Sequence, residues 1–192
     1  MARPHGWTIW LTGLPGAGKT TLARAMRRKL GERGIPCVLL DSDELRDLLI
    51  PQATYAPEER DRFYARLVDL AAWLAGTGEN VLIAATGSRR RYRAAARARL
   101  APRFAEIWVR CPAEVCRARD PKGLYRRAAA GLVANLPGFD DVYEPPAAPE
   151  ASVDADRLRP DEAAEAVLAA LDMLAWRPQP PAAVPRHSET PA

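Results

Sequence analysis

The strongest constraint on this chain lies in one short stretch, Gly13-Leu14-Pro15-Gly16-Ala17-Gly18-Lys19-Thr20. It follows an apolar run over residues 7–11 that reads as a buried strand, and it opens a helical pattern over 19–30. A glycine, four open positions and then Gly-Lys-Thr, set between strand and helix, is the pattern of a phosphate-binding loop. The glycines let backbone N–H groups turn onto phosphate oxygens, and the helix N-terminus adds a favourable dipole. A lysine here reaches the β- and γ-phosphates, and the Thr20 hydroxyl is placed to bind Mg²⁺. A Gly-rich turn with an incidental lysine would not need the strand before it or the helix after it. A nucleoside triphosphate is the expected ligand.

With 192 residues, 48% of them hydrophobic, the chain suits one well-buried domain. No apolar run approaches the roughly 18 residues that span a bilayer, so no membrane partner is expected. The first residues run straight into the first predicted strand, so no secretory leader is expected. Cys37, Cys111 and Cys116 form no Cys-x-x-Cys pair and read as buried thiols of a reducing, cytoplasmic compartment. The net charge of +4 is built from 25 arginines and only three lysines, Lys19, Lys29 and Lys122. Where arginine is used so freely, a lysine that persists marks a place where a compact ammonium is needed. Lys122 thereby becomes a second candidate beside Lys19.

Short apolar runs alternate with amphipathic stretches, the signature of βαβ units and a mostly parallel sheet flanked by helices in a three-layer α/β fold. Strands are predicted over 7–12, 37–40, 80–85 and 104–110, with a weaker one near 152–153. Helices are predicted over 19–30, 44–49, 58–75, 91–100, 113–119, 124–130 and 161–174. Phe63, Leu67, Leu70 and Leu74 form a stripe at helical spacing and read as core. Residues 137–160 break into Gly, Pro and acidic residues, a long loop of the kind that carries function. The last stretch, 177–192, holds five prolines and reads as a disordered tail beyond a single domain of residues 1–176.

Asp41-Ser42-Asp43 ends the second strand, at the carboxyl edge where open α/β sheets bind ligands. One carboxylate can serve a metal shell while the other accepts a proton from an attacking hydroxyl; capping the next helix would need only one of them. Arg46 and Arg60 begin at the same edge and, with Lys19, make an anion-binding rim. The basic run Arg89-Arg90-Arg91-Tyr92-Arg93 follows Ser88. It reads as a helix start facing a phosphorylated small molecule, with the remaining arginines solvated; no further basic patch extends it into a nucleic-acid groove. The segment from Arg117 to Arg127 is helix, Pro-Lys-Gly break and helix, the shape of a lid over about 117–130 that closes on phosphates.

These residues together resemble the adenylylsulfate kinase (APS kinase) family. The resemblance runs from the phosphate-binding loop to about Pro149. Its most specific part is Arg119-Asp120-Pro121-Lys122-Gly123-Leu124-Tyr125, followed by Asn135, Gly138, Asp140 and Tyr143-Glu144. It implies a P-loop fold and transfer of the γ-phosphoryl group of ATP, with Mg²⁺, to the 3′-hydroxyl of adenosine 5′-phosphosulfate. It further implies that Asp43 orients or deprotonates that hydroxyl, with Lys19 and Lys122 assisting, and that Thr20 and Asp41 serve the metal. Nucleotide contacts are implied for Gly13, Leu14, Pro15, Gly16, Ala17, Gly18, Lys19, Thr20, Thr21 and Arg117. Acceptor contacts are implied for Asp43, Arg46, Tyr55, Arg60, Phe63, Ser88, Lys122 and Leu136, the last on a substrate loop of about 135–150. A homodimer is the assembly that the family suggests.

The chain departs from the family pattern at specific places. Ser42 replaces a glycine, Tyr55 a phenylalanine, Phe63 an asparagine, and Arg89 a proline. Leu136 replaces a phenylalanine that stacks on the acceptor's adenine; an aliphatic side chain forgoes that stack, on the order of 1–3 kcal/mol. The phosphoryl-transfer residues are all present and the acceptor-reading ones are altered. Two other readings therefore stay open: a kinase of the same fold with another nucleotide-like or small alcohol as acceptor, and a nucleotide-binding regulatory protein without transfer.

Overall fold

The structure is a computed structural model that describes residues 5–50 and 56–173. Five parallel strands form one sheet in the order β2-β3-β1-β4-β5, with β1 Thr8–Thr12, β2 Val38–Asp41, β3 Val81–Ala84, β4 Phe104–Arg110 and β5 Ala151–Asp154. The helices are α1 Lys19–Glu32, α2 Ser42–Leu49, α3 Pro57–Gly76, α4 Arg90–Leu100, α5 Ala113–Arg119, α6 Leu124–Ala129 and α7 Pro160–Met173. The predicted strands and helices are all present, with ends shifted by a residue or two. Tyr55 and the Pro-rich tail lie outside the described residues.

Side-chain alternation along the strands divides the core in two. Ile9, Leu11, Leu82 and Ala84 face one way and pack with Leu22, Met26 and Leu30 of α1 and Val167, Leu168 and Leu171 of α7. Trp10, Val81 and Ile83 face the other way and pack with Phe63, Leu67 and Ala71 of α3 and Tyr92 and Ala96 of α4. A strand with both faces covered has no place for a polar side, which is why β3 reads as an unbroken apolar run. The Trp10 indole N–H still finds a partner in the Ala85 carbonyl at 3.0 Å. Among the described residues no helix is long and apolar enough to cross a membrane.

The sheet delivers its functional loops to one edge. The phosphate-binding loop follows β1 at the middle of the sheet, Asp41 ends β2, and Thr86 to Ser88 follow β3. Helix α2 starts two residues earlier than its apolar pattern indicates, because Asp41 is its N-cap: the Asp43 backbone N–H donates to Asp41 Oδ1 at 2.9 Å.

Candidate active site

A cleft of about 680 Å³ opens at that edge, lined by Gly16, Gly18, Lys19, Thr20 and Thr21 on one side and by Arg46, Arg60, Ser88 and Leu136 on another. Gly16 and Gly18 both take left-handed φ values, 78° and 97°, which a side chain would resist. Gly18 is also the N-cap of α1 and offers no side-chain cap, so the first N–H groups of the helix remain available to an anion. The Lys19 ammonium donates to the carbonyls of Gly13 at 3.0 Å and Leu14 at 2.9 Å, curled back along its own loop. Burial pushes its pKa down to about 8, against the raising effect of Asp43 and Asp41.

Asp41 does double duty. While Oδ1 caps α2, Oδ2 accepts from the Thr20 hydroxyl at 2.5 Å. That leaves Asp43 free of any capping role, and its carboxylate takes the Lys122 ammonium at 2.6 Å. Lys122 stands at the break between α5 and α6, so this pair ties that break to the carboxyl edge of the sheet. Asp120 braces the start of α6 by accepting from the Tyr125 N–H at 3.1 Å and the Arg126 N–H at 3.0 Å. Tyr125 then reaches the phosphate-binding loop, donating to the Pro15 carbonyl at 3.0 Å.

Thr20 and Asp41 present hard oxygens beside the phosphate cradle. Mg²⁺ is bound through one or two such oxygens with waters and phosphate supplying the rest, so the pair fits that ion. Among the described residues no cluster of His, Cys, Asp and Glu could hold a metal by itself.

Arg46 and Arg60 are not the solvated charges that either one, taken singly, would suggest. Arg46 and Arg60 are buried and both line the cleft. Arg46 pairs with Glu59 at 3.2 Å and lies 4.0 Å from the centre of the Phe63 ring. Arg60 donates to Asp141 at 2.5 Å and to the Asn135 carbonyl at 2.6 Å. Phe63 itself is core: it packs edge-on against Tyr64 and is not among the cleft-lining residues, so its part is to support Arg46 from below. Leu136 lines the cleft and packs with the α6 side of the core. Ser88 is 1% exposed, lines the cleft, and its hydroxyl has no hydrogen-bond partner among the described residues.

Other side chains fall elsewhere. Arg117 is exposed on α5 and does not line the cleft, whereas Arg119 does, with Nη2 on the Ala155 carbonyl at 3.0 Å. The basic run after Ser88 is corrected in part: it does open α4 and Arg90 and Arg91 are exposed, but Arg89 and Arg93 are not solvated charges. Arg93 is buried at 1% exposure against Glu106, Arg89 pairs with Asp141, and Arg91 pairs with Asp61. These arginines are neutralised by carboxylates contributed from distant parts of the chain, which a linear reading does not reveal. Of the cysteines, Cys116 is fully buried with its thiol pushed up to about 12 by that burial, while Cys37 and Cys111 are only partly covered.

Comparison with known proteins places this geometry. The family model described as adenylylsulphate kinase matches residues 5–154. A probable adenylyl-sulfate kinase of Pyrococcus abyssi is 40% identical over 174 residues, covering 91% of this chain and 99% of the relative. The adenylyl-sulfate kinase of Paraburkholderia xenovorans is 39% identical, covering 89% and 96%. Among solved structures, the Mycobacterium tuberculosis APS kinase in complex with AMPPNP and APS superposes with a TM-score of 0.81 at 37% identity, covering 88% of this chain and 99% of that one. The chain belongs to the adenylylsulphate kinase family.

Proposed function

We propose that the protein transfers the γ-phosphoryl group of ATP to the 3′-hydroxyl of adenosine 5′-phosphosulfate, giving ADP and 3′-phosphoadenosine 5′-phosphosulfate. The observation that carries this reading is the Asp43–Lys122 pair, which sets a carboxylate free of capping duty in the same cleft as the phosphate cradle. In phosphoryl transfer the protein's work is positioning and charge stabilisation. Lys19 leaves the carbonyls of Gly13 and Leu14 for the β- and γ-phosphates, and the N–H groups at the start of α1 take phosphate oxygens. Asp43 accepts the proton of the 3′-hydroxyl as that oxygen bonds to the γ-phosphorus and the bond to ADP breaks. Lys122, released from Asp43, neutralises charge on the transferring group from the lid. Arg46 and Arg60 hold the phosphosulfate. Thr20 and Asp41 would hold Mg²⁺, which when bound offsets charge on the β- and γ-oxygens.

The test is ADP release by the purified protein with ATP, Mg²⁺ and adenosine 5′-phosphosulfate. Turnover that depends on that acceptor is expected; none at saturating substrate would sink the reading. Leu136 favours one rival, a different alcohol acceptor, because an aliphatic side chain lines the cleft at the position where the family resemblance implies an aromatic that stacks on adenine. A panel of nucleotide and sugar alcohols, turned over better than adenosine 5′-phosphosulfate, would establish that rival. A homodimer belongs to the reading on the family likeness alone, and analytical ultracentrifugation measures it.

A further inference from the structure

Arg93 is a buried cation with no part in the phosphoryl transfer proposed for the cleft. Its guanidinium binds three separate parts of the acceptor side. Nε donates to Glu106 Oε1 on β4 at 2.5 Å, Nη1 donates to the Gly87 carbonyl, and Nη2 donates to the Glu144 carbonyl at 2.6 Å. One planar fork therefore joins the sheet, the residue before Ser88, and the strap of residues 137–145 that follows Leu136.

The rest of the α4 N-terminus grips the same strap. Arg89 holds Asp141, the carboxylate that also holds Arg60. The Arg90 backbone N–H donates to Glu144 Oε2 at 2.7 Å, and its Nε donates to the Pro145 carbonyl at 2.7 Å. Glu144 returns its own N–H to the Ser88 carbonyl at 2.8 Å. The strap is also braced internally, with the Asp140 carboxylate accepting from the N–H groups of Asn135 at 2.8 Å and Leu136 at 2.6 Å.

We propose that Arg93 is the positioning residue of the acceptor half of the site: through Gly87 and Glu144 it fixes where Ser88, Arg60 and Leu136 stand. It does not line the cleft and acts through other residues. The proposal rests on the reading of that half as the acceptor's. Lysine cannot replace the fork, since a point-like ammonium does not span three acceptors in one plane.

Four proteins test this: wild type, Arg93→Lys, the paired variant Arg93→Met with Glu106→Leu, and Arg89→Ala. The paired variant removes both buried charges, so no unpaired ion confuses the result. The KM for adenosine 5′-phosphosulfate rises about tenfold in the Arg93 variants while the KM for ATP and the Kd for AMPPNP stay within about twofold. Arg89→Ala loosens the strap from a partly exposed position and raises the acceptor KM less; it carries the test if the buried variants fail to fold. Hydrogen exchange gives a readout independent of turnover, faster at residues 137–145 and unchanged at 13–20. Parallel shifts in both substrates' parameters, or a wild-type Arg93→Lys, overturn the proposal, as does unchanged exchange in the strap. Absence of turnover in the wild type strikes the proposed function instead, and hydrogen exchange alone then decides on Arg93.

Discussion

The Lys122 ammonium stands 2.6 Å from the Asp43 carboxylate, joining the break between α5 and α6 to the carboxyl edge of the sheet. Both side chains are about half exposed, at 52% each, so the pair contributes little to stability and separates readily. Burial works against the lysine's charge, but the neighbouring Asp43 carboxylate outweighs it and raises the lysine's pKa. The pair is thus charged, directional and easily parted.

Replacing Asp43 by Asn keeps the shape of the site and removes the proton acceptor. Loss of a positioned general base lowers kcat about 10²- to 10⁴-fold. ATP binding is expected to survive, because the cradle at Gly16 to Thr20 is untouched. Single-turnover kinetics beside a fluorescent-nucleotide titration separates the two. A kcat within a few-fold of wild type would exclude Asp43 as the base.

Lys19 predicts a proton linkage. In the empty protein its pKa is lowered from 10.5 to about 8 by burial, so near pH 8 a large share of the molecules lack that proton. Polyphosphate binding favours the ammonium and raises the pKa again. ATP binding between about pH 8 and 10 therefore takes up as much as one proton, and affinity falls with rising pH by up to about tenfold per unit in that window. The sign for folding is opposite: the unfolded chain keeps the proton longer, so this residue's contribution to the stability of the empty protein grows as pH rises from 8 toward 10.5. Calorimetry of ATP binding at pH 8.5 in buffers of different ionisation enthalpy measures the uptake directly. Zero uptake, or release, would contradict the buried lysine.

Leu136 predicts a gain of function. It lines the cleft although only 5% of it is exposed, so a ring at that position borders both the cleft and the core. Leu136→Phe supplies the missing base–aromatic stack, worth about 1–3 kcal/mol, and lowers the KM for adenosine 5′-phosphosulfate about fivefold or more. If the KM rises instead, the leucine serves another acceptor or another pose.

What the sequence revealed and what it hid divide along physical lines. Gly13 to Thr20 and Asp41 to Asp43 were legible because their roles follow from local geometry: a turn, a helix start, a cap. The rarity of lysine in an arginine-rich chain singled out Lys122, and the fold places it in the cleft beside Asp43. Arg89 to Arg93 were not legible, since their partners Asp141, Glu144 and Glu106 arrive from 13 to 54 residues away in sequence. Phe63 divides the same way. Its helical spacing identified it as core, but its place beneath Arg46 depends on how α2 crosses α3, and no periodicity encodes that.

Phe63 carries the last prediction. It is 3% exposed and packs among Tyr64, Leu67 and the sheet, so Phe63→Ala opens a cavity and costs about 3–5 kcal/mol of unfolding free energy by urea titration. Phe63→Leu keeps most of the volume and loses less. It still removes the ring whose centre lies 4.0 Å from the Arg46 guanidinium, leaving that cation held at this face by Glu59 without its stacking surface. The acceptor KM of Phe63→Leu is therefore expected to rise about threefold to tenfold with the ATP KM unchanged, a larger effect than its stability loss explains. An unchanged acceptor KM in a destabilised Phe63→Leu would mean that the ring only fills the core and that Arg46 is oriented by Glu59 instead.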